Sequence, residues 1–65
     1  MLNANALKGE IKRNGLTIAQ VADAIGVSES TMSRKLKYGS FGIEEAEKLI
    51  TLLDIADPCA IFFAD

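Results

Sequence analysis

Apolar residues recur along this chain at three- and four-residue spacing, and Gly15, Gly26, Gly39, Gly42 and Pro58 cut the pattern into five short segments. Spacing of that kind puts side chains on one face of an α-helix, so each segment predicts a helix. The first runs from Leu2 to Arg13, with Leu2, Ala6, Leu7 and Ile11 as its apolar stripe. Its lysines and Arg13 lie toward the C-terminal end, where the helix dipole favours cations, and Asn14 and Gly15 stop it. Thr17 opens the second helix as an N-cap. With Gln20 it forms the T-x-x-Q pattern of a capping box, in which each side chain bonds the other residue's backbone N–H. Val21, Ala22 and Ile25 make the inner face, Gly26 ends the helix as a left-handed residue, and Val27 turns back into the core.

Ser28 caps a third helix reaching about Lys37. Met32 and Leu36 are its buried stripe, and positions 29, 30, 33, 34 and 37 fall on the opposite side. Gly39 to Gly42 connect to a fourth helix with Ile43, Ala46, Leu49, Ile50 and Leu53 inward and Glu44 and Glu45 in its first turn. Asp57 followed by Pro58 reads as an N-cap with proline at the first helical position, opening a last helix from Pro58 to Phe63. Val, Ile, Phe and Thr are scattered rather than alternating, so no strand is expected. The fold class predicted is all-α, five compact helices in one domain over residues 1–65.

Composition narrows the function classes. Sixty-five residues, 49% hydrophobic and 25% charged, are globular, but a domain of this size buries only about 60% of its unfolded surface and has a marginal core. Cys59 is the single cysteine and there is no histidine, which removes internal disulfides and zinc-ligand spacing. Without an imidazole to activate Cys59, and without a glycine-rich phosphate loop before a helix, no catalysis, metal, cofactor or small-molecule ligand is expected. Cys59 itself reads as a small buried hydrophobe. No cationic segment leads into an apolar h-region, and no apolar run approaches the ~20 residues of a membrane span, so a cytoplasmic, non-membrane protein is expected.

The net charge of −2 divides unevenly. Residues 1–37 carry six cations against three carboxylates, and residues 38–65 carry Lys48 against six carboxylates. A basic face and an acidic face are therefore expected, and an acidic total does not exclude nucleic acid.

Thr17 to Ile25 and Ser28 to about Lys37, joined by Gly26 and Val27, form a candidate helix-turn-helix. The motif needs a small residue where its helices cross, here Ala22. It needs positive φ in the turn, here Gly26, and apolar residues to lock the crossing, here Val27 and Met32. The run "LTIAQVADAIGVSESTMSRKLKYGSFGIEEAEKLITLLDI", Leu16 to Ile55, resembles the XRE family of lambda-repressor-like and Cro-like domains common in phages and bacterial regulators. Within it "GVSESTMSRKL" is similar to the turn and recognition helix, and "FGIEEAEKLITLLDI" to the fourth helix and the turn after it. The resemblance implies a sequence-specific DNA-binding domain, typically a homodimer on a two-fold symmetric operator. Two places depart from the family pattern. Lys35 stands where an apolar residue is usual and Leu36 where a polar one is, so either the recognition helix is slightly rotated or Lys35 lays its stem along the surface. Ile18 stands where glutamine is frequent, which leaves Thr17 and backbone N–H groups to meet phosphate.

In such a motif the third helix enters the major groove. The candidates for base readout are Glu29, Ser30, Thr31, Ser33 and Arg34. Arg34 can pair bidentately with guanine O6 and N7, Glu29 can accept from cytosine N4, and the hydroxyls suit base edges or phosphate. Glu29 equally suits the helix dipole, and Arg34 could be a solvated charge. Small hydroxyl residues let the helix backbone sink into a groove, where glutamate would repel phosphate. The candidates for phosphate contact are Thr17, Ile18, Ser28, Lys37, Tyr38, Gly39 and Ser40, with Lys12 and Arg13 either adding long-range attraction or simply solvated. In "CAIFFAD", Ile61, Phe62 and Phe63 cannot all point inward from one helix; part plugs the core and the remainder suggests a dimer contact. The function expected is transcription regulation by operator occupancy, as a phage or prophage repressor or a Cro-like protein. The alternative is a protein-interaction module, such as an antitoxin, on the same fold.

Overall fold

The computed structural model describes residues 1–64; Asp65, one of the six C-terminal carboxylates, lies outside them. The described residues form five helices and no strand: α1 Ala4–Arg13, α2 Ile18–Ile25, α3 Glu29–Tyr38, α4 Ile43–Leu53 and α5 Pro58–Phe62. Four of the five start at a side-chain cap. Asn3, Thr17, Ser28 and Asp57 each accept the backbone N–H three residues on, and at Thr17 the return bond from Gln20 completes the box. These bonds satisfy amides that have no carbonyl one turn back. Gly26 and Gly39 close α2 and α3 with φ of +84° and +67°, where a Cβ would be strained. Asp54 closes α4 the same way at φ +50° with a side chain present.

Leu7, Ile11, Val21, Ala22, Ile25, Met32, Leu36, Leu49, Leu53, Ile55 and Ile61 make one core to which every helix contributes. α2 packs chiefly on α3 and also on α4, and α1 lies against α5. At the α2–α3 crossing Ala22 is buried and Val27 is partly buried against the core, as the close approach of the two helices requires. The result measures 27 × 23 × 20 Å. Among the described residues no helix is long and apolar enough to cross a membrane.

Several expectations are corrected. α1 begins at Ala4 rather than Leu2, because Asn3 takes the N-cap and accepts the Ala6 N–H at 3.1 Å. Leu2 lies outside the helix, against Gly39. Ile43 is 80% exposed rather than inward; it sits about 120° round α4 from Leu49, in the first turn, where no other helix covers it. Cys59 is exposed, not buried, because it lies about 160° round α5 from the buried Ile61. α5 ends at Phe62, with Phe63 as its C-cap.

Candidate nucleic-acid interface

At about 100° per residue around α3, Lys35 and Leu36 flank Met32 by about 60° on one side and 40° on the other. Met32 and Leu36 are buried, so this is the inward face. Ser30, Arg34 and Lys37 then point nearly opposite, with Ser33 and Glu29 on one flank and Thr31 and Tyr38 on the other. Ser30, Ser33, Arg34, Lys37, Tyr38 and Glu29 are exposed accordingly, and Thr31 is half-buried.

The hydroxyls divide into two groups. Ser28 Oγ accepts the Thr31 N–H at 3.2 Å, donates to Thr31 Oγ1 at 2.8 Å and lies 3.3 Å from Ser30 Oγ. Ser28 and Thr31 are thus committed to the cap and start the helix, while Ser30 and Ser33 present small polar side chains on its outer face. At the other end, the Gly39 and Ser40 N–H groups both donate to the Lys35 carbonyl, at 2.7 and 3.2 Å. Those two amides are therefore turned into the helix end, and the groups left outward there are the Ser40 hydroxyl, Lys37 and Tyr38. Lys37 Nζ lies 5.4 Å from the Tyr38 ring centroid, a cation–π distance that keeps ammonium and phenol together.

At the start of α2, Thr17 and Gln20 satisfy each other's N–H at 2.8 and 3.1 Å. The Ile18 and Ala19 amides, in the first turn, have no carbonyl one turn back and form the positive end of the helix dipole. Ile18 packs its side chain on the core, so its contribution to an anion is its N–H.

Ion pairing sorts the cations. Among the described residues the two salt bridges are Arg13 with Glu10 at 2.8 Å and Lys35 with Glu45 at 3.0 Å. The hydrogen bond and charge of Glu10 raise the Arg13 pKa above its ordinary value. The same guanidinium donates to the Leu53 and Asp54 carbonyls at 2.8 and 3.3 Å, and Asn14 Nδ2 donates to Leu53 at 3.0 Å. Arg13 is thus a staple between the ends of α1 and α4 rather than a freely solvated charge, whereas Lys12 stays exposed. Among the described residues Arg34 and Lys37, like Lys8, Lys12 and Lys48, make no such pair, and Arg34 and Lys37 are the two of these on the outer face of α3.

Comparison with models of protein families, with curated proteins and with solved structures finds no match to this chain.

Lys35 lays its stem along the surface, with Nζ donating to Glu45 Oε1 and, at 3.3 Å, to the Ser40 carbonyl. The same Glu45 oxygen accepts the Gly42 N–H at 3.0 Å, and this bond, then that from Lys35, holds the Glu45 carboxyl below the usual glutamate range. Gly42 and Glu45, three apart at a helix start, carry half of a capping-box signal. The pairing of Glu45 with Lys35, ten residues back across a loop, has no local signature. Of the three residues read as a dimer contact, Ile61 is buried, Phe62 packs on the core with its ring edge-to-face on Phe41 at 6.4 Å, and Phe63 is 73% exposed.

Proposed function

We propose that this chain is a sequence-specific double-stranded DNA-binding regulator in which α2, the Gly26–Val27 turn and α3 act as a lambda-repressor-like helix-turn-helix. The observation that carries the reading is the outer face of α3. Ser30 and Ser33 keep it slim, and among the described residues Arg34 and Lys37 make no ion pair while Arg13 and Lys35 are tied to carboxylates. A slim face lets the helix backbone approach base edges, and a cation that gives up no ion pair meets DNA without breaking one. Arg34 pairs with a guanine, Ser30 and Ser33 contact neighbouring base edges, and Glu29 at the first turn accepts from a cytosine amino group or faces the helix dipole. Lys37, Tyr38, the Ser40 hydroxyl, Thr17 and the Ile18 amide hold the phosphate backbone. The protein works by occupying a two-fold symmetric operator as a homodimer in the cytoplasm, with Phe63 as the apolar contact, and it binds rather than catalyses.

In vitro selection from random duplexes tests this. A single enriched site with binding that weakens steeply as salt rises is expected, and a pool without enrichment defeats the reading. A second reading, a protein-interaction module, is favoured by a trough of about 580 Å³ between α2 and α4. Ala24, Ile25 and Leu52 give it apolar surface, Glu44, Glu47 and Lys48 charge it, and no residue of α3 lines it. Failure of selection combined with a stable complex on the trough would favour that second reading.

A further inference from the structure

We infer that Glu45 is a positioning residue that sets the rotation of α3 about its axis, and hence the sequence preference of the reading face, through its bond to Lys35. The functional half of this inference rests on the DNA-reading proposal above; the structural half does not. Met32 points inward, Leu36 anchors α3 on one flank of it, and Lys35 stands on the other flank. An ordinary lysine there would be free to leave the surface. Here its side chain is only 21% exposed and its ammonium is held by the Glu45 carboxylate and the Ser40 carbonyl. Glu45 is itself held, 22% exposed and bonded to the Gly42 N–H that precedes α4. One oxygen therefore ties the last turn of α3 to the first turn of α4.

The lever arm makes this matter at the reading face. Side chains reach about 5–6 Å from a helix axis, so a rotation of about 10° moves a side-chain tip by about 1 Å. Paired hydrogen bonds to one base have a tolerance of a few tenths of an ångström. Phosphate contacts made by flexible lysines tolerate much more. Releasing the tether should therefore blur base discrimination while leaving phosphate attraction intact. Attraction should even rise, because one carboxylate charge is gone and the Lys35 ammonium is freed.

The test uses Glu45→Gln, which keeps an oxygen for the Gly42 N–H and loses the charge, beside Glu44→Gln, the same charge change on the neighbouring exposed residue. Residual dipolar couplings of α3 amides relative to α4, measured on the free protein, should shift in Glu45→Gln and in Lys35→Gln but not in Glu44→Gln. On duplexes both glutamate variants should bind a random sequence about twofold more tightly. Only Glu45→Gln should lose discrimination between the selected site and its single mismatches, by about fivefold or more. If Glu45→Gln matches Glu44→Gln in couplings and in discrimination, the inference is overturned. If the wild-type chain selects no site, the DNA-reading proposal fails on its own, and unshifted couplings would still overturn the tether.

Discussion

Replacing Arg34 with alanine removes a side chain that is exposed and makes no ion pair among the described residues. No buried group loses a partner, so fold stability should change by no more than about 0.5 kcal/mol. Any large effect on DNA is then a contact effect. A bidentate arginine–guanine pair discriminates by about 1–3 kcal/mol, or about 5- to 150-fold in affinity. The two roles open to Arg34 leave different traces. As a base reader, its loss falls on one position: the variant binds the selected site and its guanine-substituted form alike, and the slope of log affinity against log salt barely changes. As a phosphate contact, its loss weakens every sequence equally and lowers that slope by about 0.9. Arg34→Lys separates charge from fork, keeping the slope and losing most of the discrimination. Fluorescence anisotropy on matched and mismatched duplexes over a salt series, with a thermal melt of each variant, measures all of this. A folded Arg34→Ala protein with unchanged affinity and preference for the selected site would refute the placement of α3 as the reader.

Gly26→Ala should cost about 1–2 kcal/mol from the left-handed backbone alone, since nothing lies within 4 Å of the added Cβ. Gly39→Ala should cost more, because its Cβ would also meet Leu2 Cβ at 3.3 Å; equal losses in urea denaturation would contradict the contact. Glu45 has its pKa lowered by folding, so its stabilisation is complete above the ordinary glutamate value of about 4.3 and is lost as pH falls through the lower folded value. The stability gap between wild type and Glu45→Gln should accordingly be full at neutral pH and shrink in acid, and a gap that widens on acidification would reverse the sign argued here. Phe63→Asp should leave the melting temperature nearly unchanged while reducing a two-to-one complex on a palindromic site to one-to-one, whereas Ile61→Asp should unfold the chain. A Phe63→Asp protein still dimeric on DNA by sedimentation would remove Phe63 from the interface.

What was legible in the sequence follows the range of the interactions concerned. The Thr17–Gln20 box, the Ser28 cap and the Gly26 turn act within a few residues, and their geometry follows from residue type and spacing. The Met32 and Leu36 stripe was equally plain, because a helix that buries one face must repeat every three to four positions. Ile43 escaped because helical spacing says which residues share a face but not where the neighbouring helices end, and Cys59 because residue type, rather than its place about 160° round α5 from Ile61, set the expectation. The Arg13 pair with Glu10 has the ordinary i, i+3 spacing of a helix and was open to the sequence, whereas its role as a staple was not, because the carbonyls of Leu53 and Asp54 lie forty residues away and are backbone atoms that any sequence would supply.

Lys35 and Leu36 carry the same lesson to α3. A lysine at an apolar position reads as a misfit until Glu45 is placed beside it. With that partner the side chain stays only 21% exposed, and the ammonium spans from the end of α3 to the start of α4. The exchange has a consequence that an aliphatic residue would not bring. An apolar contact is non-directional and lets a helix slip by small angles, whereas a charge-assisted hydrogen bond has a defined length and direction. On the tether proposed above, the angle at which Ser30, Ser33 and Arg34 face outward depends on a bond between two titratable side chains, so the outer face of α3 takes a directional constraint from a residue on a different helix.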